Sequence, residues 1–109
     1  MKKSLLNFKE YIVLDVFSGF ENVTAKSMFG GFGIYKNGKI FGIIMNDEKF
    51  YLKGEGEDAK SFYEQNGGKQ AEYKSRGKIM MMKYWSVPEE VLENREELER
   101  WMSYIKLSV

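Results

Sequence analysis

Phe32-Gly33-Ile34-Tyr35-Lys36-Asn37-Gly38-Lys39-Ile40-Phe41-Gly42-Ile43-Ile44-Met45 is the stretch that decides the fold. Two runs rich in aromatic and β-branched residues flank Asn37-Gly38, and a two-residue type I′ turn needs positive φ at both positions, which Asn and Gly tolerate best. The stretch therefore predicts an antiparallel hairpin between strands at 32–36 and 39–45. Residues 23–29 have strand composition too, and Gly30 and Gly31 permit a bulge or tight bend before the hairpin. After it, Asn46, Asp47 and Glu48 turn the chain into a fourth strand at 49–53. There Phe50 and Leu52 alternate with Lys49, Tyr51 and Lys53, which predicts one buried and one wet face.

Working outward, residues 5–17 place Leu5, Phe8, Ile12 and Val16 at helical steps, with Leu6, Val13 and Phe17 widening the stripe and Ser18-Gly19 as a stop. A second helix is expected at 57–65 through Ala59, Phe62 and Tyr63, ended by Asn66-Gly67-Gly68. Residues 70–75 and 78–86 form another hairpin around Arg76-Gly77, with Met80, Met82 and Tyr84 on one face and Ile79, Met81 and Trp85 on the other. Pro88, followed by Glu89 and Glu90, opens a brief helix. Asn94 caps a last one, with Glu97 in the capping-box position and Leu98, Trp101 and Ile105 turned inward. The order α-β-β-β-β-α-β-β-α-α lacks βαβ alternation, so the class is α+β, an antiparallel sheet with helices packed on it.

The 109 residues are read as one domain, 1–109, because two cores would each be too small. Hydrophobic residues at 43% and aromatics at 16% supply a core, while 30% charged residues keep the exterior wet. With no cysteine there is no disulfide framework or thiolate chemistry, which fits a cytoplasmic setting. The N-terminal apolar stretch is broken by Asn7, Lys9 and Glu10, so neither a signal peptide nor a membrane span is expected. A net charge of +1 argues against wholesale attraction to nucleic acid. The distribution is uneven: between Lys69 and Lys83 five bases face one acid, a balance of +4, and between Glu89 and Arg100 six acids face two bases, −4.

Gly30-Gly31-Phe32-Gly33 invites a phosphate-loop reading, but such a loop lies between a strand and a helix and these glycines lie between strands. Met80-Met81-Met82 is read as core packing; on a strand the three alternate faces and cannot converge on one ion, and no His or Cys completes a metal site. Without histidine, and with no paired acid, base or nucleophile in view, no catalytic, cofactor or metal residue is assigned. Lys74, Arg76 and Lys78, interleaved with Tyr73, Tyr84 and Trp85, form the candidate nucleic-acid contact, bases for phosphates and rings for stacking.

Met28-Phe29-Gly30-Gly31-Phe32-Gly33-Ile34-Tyr35, Asn37-Gly38, Phe41-Gly42 and Phe50-Tyr51-Leu52-Lys53, followed by Phe62, Tyr73, Gly77, residues 82–92, Leu98 and Trp101, resemble the N-terminal domain of the TfoX/Sxy competence regulators. The resemblance covers nearly the whole chain. It implies an α+β domain that, in those proteins, precedes a helical domain in a bacterial regulator working with a cyclic-AMP receptor protein. Where the family often carries arginine before Met-Phe-Gly-Gly, this chain has Ser27 after Lys26, and the resemblance brings no catalytic residues. The expected function is a non-enzymatic regulatory or adaptor domain acting by protein contact, linked to competence or transcription. The alternatives are a weak nucleic-acid module using the basic 69–83 hairpin and a small-molecule enzyme with an unrecognised carboxylate site. A homodimer is expected as well, through an exposed strand edge or apolar patch, unless Lys49, Lys53 and Lys74 guard that edge.

Overall fold

The computed structural model describes residues 3–28 and 30–105. The chain opens with helix α1 (Lys3–Glu10), which continues without a break as a π-helical segment over Tyr11–Val16. Strands β1 (Val23–Met28), β2 (Gly31–Lys36), β3 (Lys39–Ile44) and β4 (Phe50–Lys53) follow, then α2 (Glu57–Gln65), β5 (Gln70–Ser75), β6 (Lys78–Ser86), α3 (Glu89–Leu92) and α4 (Arg95–Met102). The predicted order and α+β class hold. Phe29, expected to end the first strand, lies outside the described residues.

All six strands form one antiparallel sheet in the order β1-β2-β3-β4-β6-β5. Asn37 and Gly38 turn β2 into β3 with φ of 52° and 80°. The Asn22 side chain holds that turn from outside, its Nδ2 donating to Asn37 Oδ1 at 2.7 Å. The ladder then breaks step: Ile34 faces Gly42 and Tyr35 faces Ile40, so Phe41 has no partner and bulges. Phe41 and Ile44 thereby reach the main core while Ile43 enters a second cluster on the opposite face. Gly42 leaves space for a ring, since a Cβ there would come within 2.7 Å of Phe50 Cε1.

The helices cover one face of the sheet. The first helix departs from its predicted stripe: Leu5, Ile12 and Phe17 are buried, whereas Phe8, Val13 and Val16 are only partly so and Leu6 and Leu14 are exposed. The cause is the π-helical turn, closed by Phe17 N donating to Ile12 O five residues back at 3.1 Å, which rotates the buried line away from an ideal 3.6-residue period. Phe17 then meets Phe20, Phe41 and Phe50 edge-on, with centroids 5.1, 5.3 and 5.7 Å away. At the other end of the layer Tyr63 of α2 stacks on Trp101 of α4 at 4.8 Å and donates its hydroxyl to the Trp101 carbonyl at 2.8 Å. Asn94 caps α4 as expected, accepting from Glu97 N at 3.1 Å.

Strand β4 corrects a second expectation. Phe50 and Leu52 are buried, but so is Tyr51, on the face expected to be wet. It joins Ile43 and Ala71 beneath Ile40, Met45, Met82 and Tyr84, so the side of the sheet away from the helices carries an apolar cluster of its own.

The glycines entering β2 give a test. A Cβ at Gly31 would run into the backbone carbonyl of Ile44, whereas one at Gly33 would first meet Met28 Sδ, the end of a flexible side chain. Gly31→Ala is expected to cost about 2 kcal/mol of unfolding free energy in denaturant titration, and Gly33→Ala clearly less.

Candidate interaction surface

Nine-residue β6 is longer than its inner neighbour can cover. Four-residue β4 pairs with it only at Tyr84, Trp85 and Ser86. Nearer the root, Gly54 N still donates to Lys83 O at 2.9 Å, but the outer part, 78–81, is paired among the described residues with β5 alone, with Ser75 facing Lys78, Tyr73 facing Met80 and Glu72 facing Met81. Arg76 and Gly77, at φ of 52° and 78°, close this hairpin with the same two-residue turn as Asn37-Gly38. The hairpin therefore projects beyond the sheet and beyond the helices that cover it.

Its apolar side chains project with it. Strand alternation puts Ile79 and Met81 on the same side as Trp85, and Met80, Met82 and Tyr84 on the other. Ile79 is 56% exposed, Met81 54% and Met80 44%, and Tyr73 beside Met80 is 48% exposed. Core packing of the methionine run is thus corrected. Of the three, only Met82, nearer the root, is half-buried, packed on the helix-free face against the cluster of Ile43, Tyr51 and Ala71, while the helix layer ends before it could cover Ile79 and Met81.

On the helix-free face the twist of the sheet brings its edges toward each other. A hollow of about 570 Å³ has Met28 of β1 and Tyr73 of β5, strands at opposite edges, in one lining with Met45, Met82 and Tyr84. In its neighbourhood the Tyr51 hydroxyl donates to Asp47 Oδ2 at 2.7 Å. Burial first, then that bond and the Asp47 charge, push the Tyr51 phenol well above its ordinary value. Tyr84 is also pushed up, by burial and then by Tyr35 and Glu55. A second hollow, about 480 Å³, lies at the start of α2 among Glu55, Glu57, Asp58, Ser103 and Tyr104.

Of the residues assigned to a nucleic-acid contact, Tyr73, Lys74, Arg76 and Lys78 are exposed on the hairpin and Tyr84 is half-buried. Trp85 is 2% exposed, its indole N–H donating to Gly54 O at 3.2 Å, so its ring belongs to the core and does not join the basic trio on one surface. Gly30, at φ 80°, turns β1 into β2 and so serves the backbone. No group of three or more metal-ligating residues occurs among the described residues. Nor is any helix among them long and apolar enough to cross a membrane. Sequence reasoning missed Met28 and Met45, and took Tyr73 only as a ring beside the basic trio. The period-two run Met80, Met82, Tyr84 marks their face, but pairing across the sheet's twist has no local signature.

The sequence profile of the TfoX N-terminal domain matches residues 15–104. The chain belongs to the TfoX N-terminal domain family. The match runs from the π-helical turn to the end of α4, so the sheet, the bulge and the projecting hairpin all lie inside the family's domain. Among curated proteins, none matches closely enough to add a named relative.

In this TfoX N-terminal domain the tyrosine shifts give a pH dependence with a definite sign. Unfolded, Tyr51 loses its proton near pH 10; folded, it keeps it to higher pH, so its contribution to stability is complete below pH 10 and is lost as pH rises further. Thermal melts from pH 8 to 11.5 should show a fall in stability above pH 10 that is shallower in Tyr51→Phe. Tyr63, also pushed up by burial, leaves part of the fall in place.

Proposed function

We propose that this domain is a non-enzymatic regulatory adaptor that engages a protein partner through the projecting β5–β6 hairpin, in the competence or transcription control that its family suggests. The observation that carries the reading is the exposure of Ile79 and Met81, side by side on one face of a strand that no helix among the described residues covers. Apolar side chains that could have been polar at no cost to the fold are the usual mark of a contact surface, and methionine suits surfaces that must adapt to a partner. Lys74, Arg76 and Lys78 frame the patch, which favours an acidic rim on the partner and supplies long-range steering. The groups with strongly shifted acidity, Tyr51 and Tyr63, are held in their protonated form, the wrong direction for a nucleophile or general base. The same exposed bases beside Tyr73 support the second reading, weak phosphate-backbone binding by single-stranded nucleic acid.

Capture from a native lysate, with and without nuclease, separates the two. With Ile79→Ser/Met81→Ser the partner's recovery should fall about tenfold or more, at unchanged melting temperature and regardless of nuclease. Recovery that survives the double substitution, or vanishes on nuclease treatment, would contradict the protein-contact reading.

A further inference from the structure

We propose that the free edge of β5 pairs with the same edge of a second copy, antiparallel about Tyr73, joining two six-stranded sheets into one. β5 ends the sheet, and Glu72, Tyr73, Lys74 and Ser75 are all exposed. The side chains of Glu72 and Lys74 enter no hydrogen bond or ion pair among the described residues.

The hairpin fixes which backbone groups the edge offers. A two-residue turn leaves its flanking pair, Ser75 and Lys78, exchanging both ladder bonds, and the pattern alternates from there. Tyr73, opposite Met80, is thus turned inward as well, while the N–H and C=O groups of Glu72 and Lys74 point outward. A two-fold partner must match outward groups with outward groups, which leaves three registers. Centring on Glu72 sets the two Glu72 side chains against each other, and centring on Lys74 does the same with the lysines. Centring on Tyr73 places Glu72 opposite the partner's Lys74, twice, with four backbone hydrogen bonds.

Charge therefore selects the Tyr73 register. Each exposed ion pair contributes little, but like charges directly opposite are destabilising, so the difference between registers exceeds the attraction alone. The selected register puts the two Tyr73 residues in a pair without mutual hydrogen bonds, where Cα atoms approach to about 4.5 Å and side chains pack best. Met80 flanks Tyr73 on the same face, so an apolar stripe runs across the two-fold axis. The other sheet edge offers no such match: β1, Val-Thr-Ala-Lys-Ser-Met, holds Lys26 and no acid. The pairing uses the strand's edge and leaves Ile79 and Met81 accessible, so it stands or falls independently of the adaptor reading.

Light scattering and sedimentation equilibrium across 1–500 µM decide it. Wild type should reach twice 12.8 kDa. Glu72→Lys should weaken association at least tenfold, and Glu72→Lys/Lys74→Glu should restore it. Because the chain has no cysteine, Tyr73→Cys should give a disulfide-linked dimer on mild oxidation, while Ser27→Cys on β1 should not. A wild type that stays at 12.8 kDa at 500 µM, a double charge swap as weak as the single change, or equal cross-linking at 27 and 73 would each overturn the pairing.

Discussion

Phe17 is the contact on which the rest of the structure depends. It joins the end of the N-terminal helix to the sheet, edge-on to Phe41 and Phe50, and two backbone irregularities converge to make that meeting possible. The π-helical turn carries Phe17 round to the buried side of its helix, and the β-bulge carries Phe41 to the buried side of its strand. Either backbone in its regular form would turn one of the two rings elsewhere. Gly42 completes the arrangement, since only a residue without a side chain lets the Phe50 ring lie over the strand.

The helix layer, tied at one end by Phe17 and at the other by the Tyr63–Trp101 stack, has a fixed footprint. It covers the inner strands and the root of β6, where Trp85 is buried, and stops there. The outer hairpin is held by its own ladder, which explains how a strand can begin in solvent and end in the core. The adaptor role proposed above rests on that division: the core sets the shape, and the hairpin it does not cover stays exposed. The second cluster around Ile43 and Tyr51 ties the root of the hairpin, through Ala71, Met82 and Tyr84, to the helix-free face of the sheet.

Element order and most boundaries were legible in the sequence because they rest on local chemistry: Asn37-Gly38 and Arg76-Gly77 for the turns, Pro88 and Asn94 for the last helices. The π-helical turn and the bulge were not legible, because each is a compromise that only a tertiary contact rewards. Tyr51 looked like a solvent-facing strand residue since its burial depends on Asp47 and on a second apolar face that period-two alternation cannot reveal. The candidate surface was half visible. Lys74, Arg76 and Lys78 lie where the charge run suggested, but the apolar residues beside them read as core, because composition does not tell how far a strand outruns its neighbour.

Residue-resolved amide hydrogen exchange at two protein concentrations tests most directly the claim that the core anchors the sheet and leaves the hairpin out for contact. The account predicts slow exchange at both concentrations for the amides of Phe41 to Ile44 and of Leu52. In dilute protein the outward amides of Glu72 and Lys74 should exchange quickly, and they should slow in concentrated protein while those of the β1 edge do not change. Uniformly slow exchange of the hairpin in dilute protein, or rates for Glu72 and Lys74 that ignore concentration, would contradict it.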